Sequence, residues 1–245
     1  MSGSIYKAGA GAILQQMRLD VYANNLANVN TAGFKADNPV FRFDRSMVNS
    51  NGTVPTEQLS PYALPLEYVT DFDTGPLQST GNPLDVAVLG EGFLEVQTPE
   101  GTRYTRNGHL SINDDGVLST PQGWPVMGQG GEISIDGSRI EIGEDGEISV
   151  DGDVTGILRV VVFSRPGTLK KSGDTLFQAV DATAGATDAV DYRIAQGTVE
   201  GSNVNAIRTM TEIIDTLRVF ETYQKAIRSA DDATSKTINE VGRMA

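Results

Sequence analysis

Ala23-Asn24-Asn25-Leu26-Ala27-Asn28-Val29-Asn30-Thr31-Ala32-Gly33-Phe34-Lys35 closes one helical pattern, and Glu200-Gly201-Ser202-Asn203-Val204-Asn205 opens a second. Ahead of the first stretch, Ile5, Ala8, Ala12, Leu19, Tyr22 and Leu26 recur at helical spacing, with Ile13, Met17 and Val21 beside them and no proline from Ile5 to Val29. The small residues Ala8, Gly9, Ala10, Gly11 and Ala12 allow another helix to approach closely, although each glycine costs about 1 kcal/mol of helix propensity. Gly33 is the expected stop, because glycine takes the left-handed conformation that ends helices. Behind the second stretch, Ile207, Met210, Ile214, Leu217, Phe220, Tyr223 and Ile227 keep a spacing of three and four that continues through Ala230, Ile238 and Val241. A run of that length exceeds the ~10–14 residues of an average globular helix. It predicts coiled-coil-like packing.

Between the two helices the pattern is different. Residues 35–80 hold Pro39, Pro55, Pro61, Pro65 and Pro76, which reads as an extended connector with some strand content. From Leu84 to Phe163 short alternating runs such as Leu110-Ser111-Ile112 and Ile148-Ser149-Val150 are punctuated by Asp-Gly at 115–116, 136–137, 145–146 and 151–152. Asp-Gly suits the tight turns of hairpins, so the middle reads as a small antiparallel β domain, with Val154 to Phe163 as its expected central strand. Residues 168–195 are polar and carry little pattern. The predicted class is α+β: a mainly antiparallel β domain with paired N- and C-terminal helices. The expected divisions are 1–33 for the first helix, 34–80 for the connector, 81–195 for the β domain, and 196–245 for a second connector and the long helix.

Lys plus Arg against Asp plus Glu count 5 to 3 over residues 1–50, 8 to 23 over 51–200, and 6 to 6 over 201–245. The acidity belongs to the middle, which is a solvated, self-repelling surface and a poor partner for nucleic acid or anionic lipid. With no cysteine, disulfides, thiolate metal sites and a cysteine nucleophile are excluded. No stretch approaches the ~18 consecutive apolar residues of a membrane span. Lys7, Gln15, Gln16, Arg18 and Asp20 interrupt any secretory-signal pattern, so no cleavable signal peptide is expected.

Candidates for chemistry reduce to structure. His109, the one histidine, follows the turn pair Asn107-Gly108 and reads as an exposed turn neighbour. Asp114, Asp115, Asp136, Asp145, Asp151 and Asp153 lack the fixed alternation of a calcium loop. Gly128-Gln129-Gly130-Gly131 lacks the lysine of a phosphate loop and reads as a turn. No catalytic residue, metal or cofactor is expected. A rival reading places a carbohydrate platform at Tyr104 and Trp124, and another takes the chain as a soluble adaptor dimerising through its last helix. Asn24 and Asn28 share a helix face and serve either as amides that fix the register of a helix seam or as residues that cap a fraying end. Ser202, Asn203 and Asn205 can each cap the last helix.

The motif Ala23 to Lys35 resembles the N-terminal signature of bacterial flagellar rod and hook proteins. Further matches follow in order: Leu84-Asp85-Val86-Ala87-Val88 leading to Gly92-Phe93, then Tyr104-Thr105-Arg106-Asn107-Gly108, then Glu200 to Asn205. Many relatives have proline where Ala32 stands, and distal-rod members usually have threonine where Gly201 stands. The resemblance implies a structural, non-enzymatic subunit of the basal-body rod, in its proximal part. A distal-rod or hook-type subunit is the alternative. It also implies an inner layer of terminal helices, partners that are other rod subunits and copies of the chain, export through the flagellar type III apparatus, and a periplasmic location. Assembly is expected to rest on Asn24, Asn25, Leu26, Ala27, Asn28, Gly33, Phe34, Glu200, Gly201, Ser202, Asn203, Val204 and Asn205. The expected helix seam is Ile207, Met210, Ile214, Leu217, Phe220, Tyr223 and Ile227.

Overall fold

The computed structural model describes residues 2–41, 66–180 and 184–244. The chain is α+β, with a helix at each end and antiparallel strands between. It divides into two compact units, one made of 1–27, 37–70 and 205–245, the other of 28–36 and 71–204. The connector read at 34–80 is thus shared between them, and its stretch 42–65 lies outside the described residues.

The first unit packs helix α1 (Ser2–Ala27) against helix α2 (Ala206–Met244), with strand β1 (Asp37–Phe41) paired antiparallel to strand β2 (Leu66–Thr70). Helix α1 ends at Ala27, ahead of the expected stop: Gly33 is left-handed (φ 67°) but lies beyond the helix end. Of the two glycines, Gly11 is the one that admits the partner helix. A Cβ there would sit 2.4 Å from the Tyr223 ring, whereas one on Gly9 would meet nothing within 4 Å. The side chain of Asn25, one of the expected assembly residues, pairs with the backbone of β1. Its Nδ2 donates to the Asp37 carbonyl (2.8 Å), and its Oδ1 accepts the Asp37 N–H (3.0 Å).

Along α2 the less exposed positions Ala206, Thr209, Ile213, Thr216, Phe220, Tyr223, Ile227, Ala230 and Thr234 step by three and four in turn, with Glu212 beside Ile213. The seven residues of the expected seam fall on two faces. Phe220, Tyr223 and Ile227 belong to the sheltered one, while Ile207, Met210, Ile214 and Leu217 remain 79%, 50%, 50% and 43% exposed. The two successive steps of three from Leu217 to Tyr223 explain the split, because each falls about 60° short of a full turn at 3.6 residues per turn. At the start of α2, Asn205 is the cap: its Oδ1 accepts the Arg208 N–H (3.0 Å). Asn205→Ala is expected to cost about 1 kcal/mol, seen as earlier thermal loss of the helical far-ultraviolet circular dichroism signal.

In the second unit, strand β3 (Leu77–Ser79) pairs with Thr198–Glu200, and β4 (Val86–Gly90) pairs with Tyr192–Gln196. Strands β5 (Phe93–Thr98) and β6 (Gly101–Thr105) form the centre of a six-stranded sheet ordered Leu169–Lys171, Leu176–Ala179, β6, β5, Val160–Phe163, Ala186–Asp188. Both faces of this sheet are covered by apolar side chains, and Val160–Phe163 reads as an unbroken apolar run. Leu94, Val96, Val160 and Leu176 enter the larger core with Val86, Leu118, Ile133, Ile148 and Leu158. Phe93, Val161, Phe163 and Phe177 form a smaller core on the other face, where Phe72 meets Phe93 edge-on at 5.7 Å.

Three of the four Asp-Gly pairs make hairpin turns. At Asp151-Gly152 both residues have positive φ (53° and 100°), the signature of a type I′ turn. Asp136-Gly137 joins no paired strands. The run Val154 to Phe163 is divided rather than a single central strand. Asp153–Ile157 is the exposed edge of a three-stranded sheet, and Val160–Phe163 lies inside the six-stranded one. The stretch 168–195 holds four strands and the buried Phe177, a contribution that its polar composition conceals.

Candidate functional site

The motifs separated in sequence converge on one buried ionic knot in the second unit. Its centre is Glu200, whose side chain is 0% exposed. Glu200 Oε1 accepts Lys35 Nζ (2.6 Å) and the Gly75 N–H (2.9 Å), and Oε2 accepts Arg106 Nη1 (3.3 Å). The Glu200 carbonyl takes the Gly33 N–H (2.7 Å). Lys35 spends its remaining donors on the carbonyls of Phe72 (3.3 Å) and Asp73 (2.7 Å). Arg106 also donates to the carbonyls of Val88 (3.0 Å) and Gly90 (2.8 Å), and its guanidinium lies 5.2 Å from the centre of the Phe93 ring. Burial pulls Lys35 below the usual lysine range, and the Glu200 carboxylate opposes that shift. Arg106 is likewise lowered by burial, with Glu200 as the main counterweight. Two cations share one carboxylate here, so removing that carboxylate strands both.

Glycines in the motifs, and Gly75 outside them, let backbones touch. A Cβ on Gly33 would lie 2.2 Å from the Asn107 nitrogen, one on Gly75 would lie 2.1 Å from the Gly201 carbonyl oxygen, and one on Gly108 would lie 1.6 Å from the Val86 carbonyl oxygen. Gly201 donates its N–H to the Pro76 carbonyl at 2.8 Å. Asn203, expected as a possible cap, is a bridge instead. Its Oδ1 accepts the Ala36 N–H (2.7 Å), its Nδ2 donates to the Asp71 (2.9 Å) and Asp73 (3.2 Å) carbonyls, and its backbone N–H reaches the Phe34 carbonyl (3.3 Å). Ser202 Oγ accepts the Val204 N–H. Phe34 is buried under Lys171, whose Nζ sits 4.1 Å from the ring centre.

Of the first motif, Asn24 and Ala27 are exposed and Leu26 and Asn28 half-buried; Thr31 Oγ1 donates to Asn28 Oδ1 (3.1 Å). Lys35 and Arg106 stood inside quoted motifs without being singled out, and Gly75, Asp73 and Lys171 were missed. A signal was present: Glu200 is the only acid in the C-terminal motif, and a buried carboxylate needs cations.

The other candidates stay apart from the knot. His109 Nδ1 meets the buried Asp85 Oδ1 (3.0 Å), which also accepts Asn82 Nδ2, while Thr80 Oγ1 donates to Oδ2; the group closes a turn. Tyr104 and Trp124 line different hollows, Tyr104 beside Glu95 and Arg159, Trp124 beside Pro99 and Arg103. They form no common platform. Tyr104 packs edge-on against Phe163 at 4.8 Å, and Trp124 packs on the larger core.

The knot of backbone carbonyls and paired charges ties together chain segments distant in the sequence. The comparisons specify the kind of protein. The family described as "Flagella basal body rod protein" matches residues 5–35, "Flagellar hook protein FlgE/F/G D1 domain" matches 87–150, and "Flagellar basal body rod FlgEFG protein C-terminal" matches 195–240. The chain is 31% identical to the flagellar basal-body rod protein FlgF of Caulobacter vibrioides, with all of both chains covered. It is 36% identical to FlgF of Salmonella typhimurium, over 95% of each chain, and 31% identical to FlgG of Buchnera aphidicola, over 96% of this chain and 98% of that one. The chain belongs to the flagellar basal-body rod protein family, as a structural subunit and not an enzyme. Membership implies assembly with other basal-body components.

Proposed function

We propose that the chain is a subunit of the proximal rod that polymerises helically, with copies of itself and with other rod subunits, through its terminal helices. In this reading it reaches the periplasm through the flagellar type III export apparatus, without a cleavable signal. The knot around Glu200 and the Asn203 bridge hold the chain segments that lead out of α1 and into α2. The observation that carries the reading is the face of α2 left open by α1, where Ile207, Met210, Ile214 and Leu217 stay exposed on a helix already packed along another side. An interface that does not close on itself gives a rod.

The proximal assignment draws support from the FlgF-named relatives and from Gly201. A Cβ there would meet Gln78 Nε2 at 3.0 Å and the Pro76 carbonyl oxygen at 3.1 Å, tight for the threonine usual in distal-rod members. The test is the double substitution Ile214→Asp and Leu217→Asp in cells lacking the native gene. The expected result is loss of swimming and absence of the chain from purified basal bodies, while the unfolding midpoint reported by Trp124 fluorescence stays unchanged. Cells that swim at full speed with both aspartates would refute it.

A further inference from the structure

A hollow of about 200 Å³ opens in the second unit, beside the β5–β6 turn and the turn that joins Leu169–Lys171 to Leu176–Ala179. Its lining is of two kinds. Trp124, Pro99 and Leu176 supply apolar surface, and Arg103, Glu100 and Asp174 supply planar charged groups.

Each part is held in place from behind. The Trp124 N–H donates to Thr120 Oγ1 (3.3 Å) and its carbonyl accepts the Thr120 N–H (2.8 Å), while the Gln97 N–H of β5 reaches the Pro125 carbonyl (2.9 Å). Arg103 donates from Nε to Ser172 Oγ (3.3 Å), from Nη1 to the Thr102 carbonyl (3.0 Å) and from Nη2 to Glu100 Oε2 (3.3 Å). A guanidinium has five N–H donors, so Nη1 and Nη2 each keep one to offer. The Arg103 side chain is 7% exposed, yet the carboxylate paired with it is 79% exposed. A buried cation whose counter-ion sits in water is weakly compensated.

The far turn is strained. Gly173, Asp174 and Thr175 are left-handed in succession, with φ of 83°, 47° and 60°, and a β-branched residue in that region is a genuine outlier. The turn is pinned by the Ser172 N–H on the Leu176 carbonyl (2.8 Å), the Leu176 N–H on the Gly173 carbonyl (2.7 Å) and Thr105 Oγ1 on the Thr175 carbonyl (3.0 Å). Strain of this kind clusters at ligand clamps, where the surroundings over-determine it. Here it carries the exposed Asp174 to the hollow.

We propose that this hollow binds one pyranose ring of a saccharide with equatorial hydroxyls. Such a ring has a face of C–H bonds that covers an aromatic side chain, and an edge of vicinal hydroxyls spaced to meet the planar forks of a guanidinium and a carboxylate. The volume falls below the ~300–1,000 Å³ of drug-sized pockets and suits a single ring. A simple anion fits less well, because Glu100 and Asp174 set two negative charges against the one of Arg103. The site lies wholly in the second unit and goes beyond the rod reading, with which it neither stands nor falls.

Trp124 is the only tryptophan, so its fluorescence reports the site directly. The full-length protein is titrated with cellobiose and, separately, with N,N′-diacetylchitobiose. The expected result is a saturable shift in Trp124 emission with at least one of them. In Asp174→Asn and in Arg103→Lys that disaccharide is expected to bind about tenfold more weakly, the effect of losing one charge-assisted hydrogen bond. Asp174 is exposed, so Asp174→Asn is expected to keep the urea unfolding midpoint unchanged, which separates lost binding from lost folding. No saturable shift with either disaccharide, or a shift that either variant leaves undiminished, would overturn the proposal. An equal shift with sodium acetate would also overturn it, since the hollow would then be an anion site of Arg103 alone.

Discussion

Glu200→Gln is expected to lower the unfolding free energy of the second unit by about 3–5 kcal/mol, the cost of breaking a buried ion pair from one side. Lys35 is 1% and Arg106 6% exposed at the side chain, so neither cation can recover its charge balance from water. The glutamine oxygen can still accept the Gly75 N–H and Lys35 Nζ, but its amide nitrogen is then a donor set against Arg106 Nη1, and the charge of both cations is left unbalanced. Lys35→Met alone leaves Glu200 paired to Arg106 and leaves the Phe72 and Asp73 carbonyls without their lysine, which also destabilises the unit. In the Lys35→Met, Glu200→Gln double variant the loss is expected to fall well short of the sum of the two, because each single change strands the other partner. Urea unfolding read by Trp124, the only tryptophan and a residue of the second unit, measures all three. Additive losses would show that Lys35 and Glu200 do not act as a pair.

Gly33→Ala is expected to cost about 3 kcal/mol, from left-handed strain of about 1–2 kcal/mol and overpacking of about 1–3 kcal/mol. The space is closed by backbone, since a Cβ would lie 2.2 Å from the Asn107 nitrogen and 2.4 Å from the Arg106 carbonyl carbon. Neither atom can move without disturbing the knot. Gly81 separates the two causes, for it is also left-handed (φ 72°) but a Cβ there meets nothing within 4 Å. Gly81→Ala is expected to show the strain alone, about 1–2 kcal/mol. Equal losses at the two positions would place the whole effect in the backbone conformation and none in the close approach.

The helices were legible because their signal is local. Absence of proline and recurrence at three and four need no knowledge of a partner, and a cap among Ser202, Asn203 and Asn205 follows from their place before the periodic run, although only the structure picks Asn205. The Asp-Gly turns were legible for the same reason, and Asp136-Gly137 shows the limit: the dipeptide permits a hairpin but cannot supply strands to flank it. Leu169–Lys171 and Leu176–Ala179 were illegible because each is short and pairs with a partner chosen in space. Leu176 reaches the larger core through a pairing that sets it opposite Thr105 in β6.

By itself the sequence determined the class, the helical ends, the turn-rich middle and the family motifs, all of which depend on residues near one another in the chain. It could not determine what the motifs do together. Lys35, Arg106 and Glu200 are each an ordinary charged residue until the fold brings Nζ to 2.6 Å and Nη1 to 3.3 Å from one carboxylate and removes the water around it. Nor could it divide the apolar residues of α2 between a face that meets α1 and a face left open, because both faces carry the same chemistry. That division is set by the position of the partner helix, and only the tertiary structure holds it.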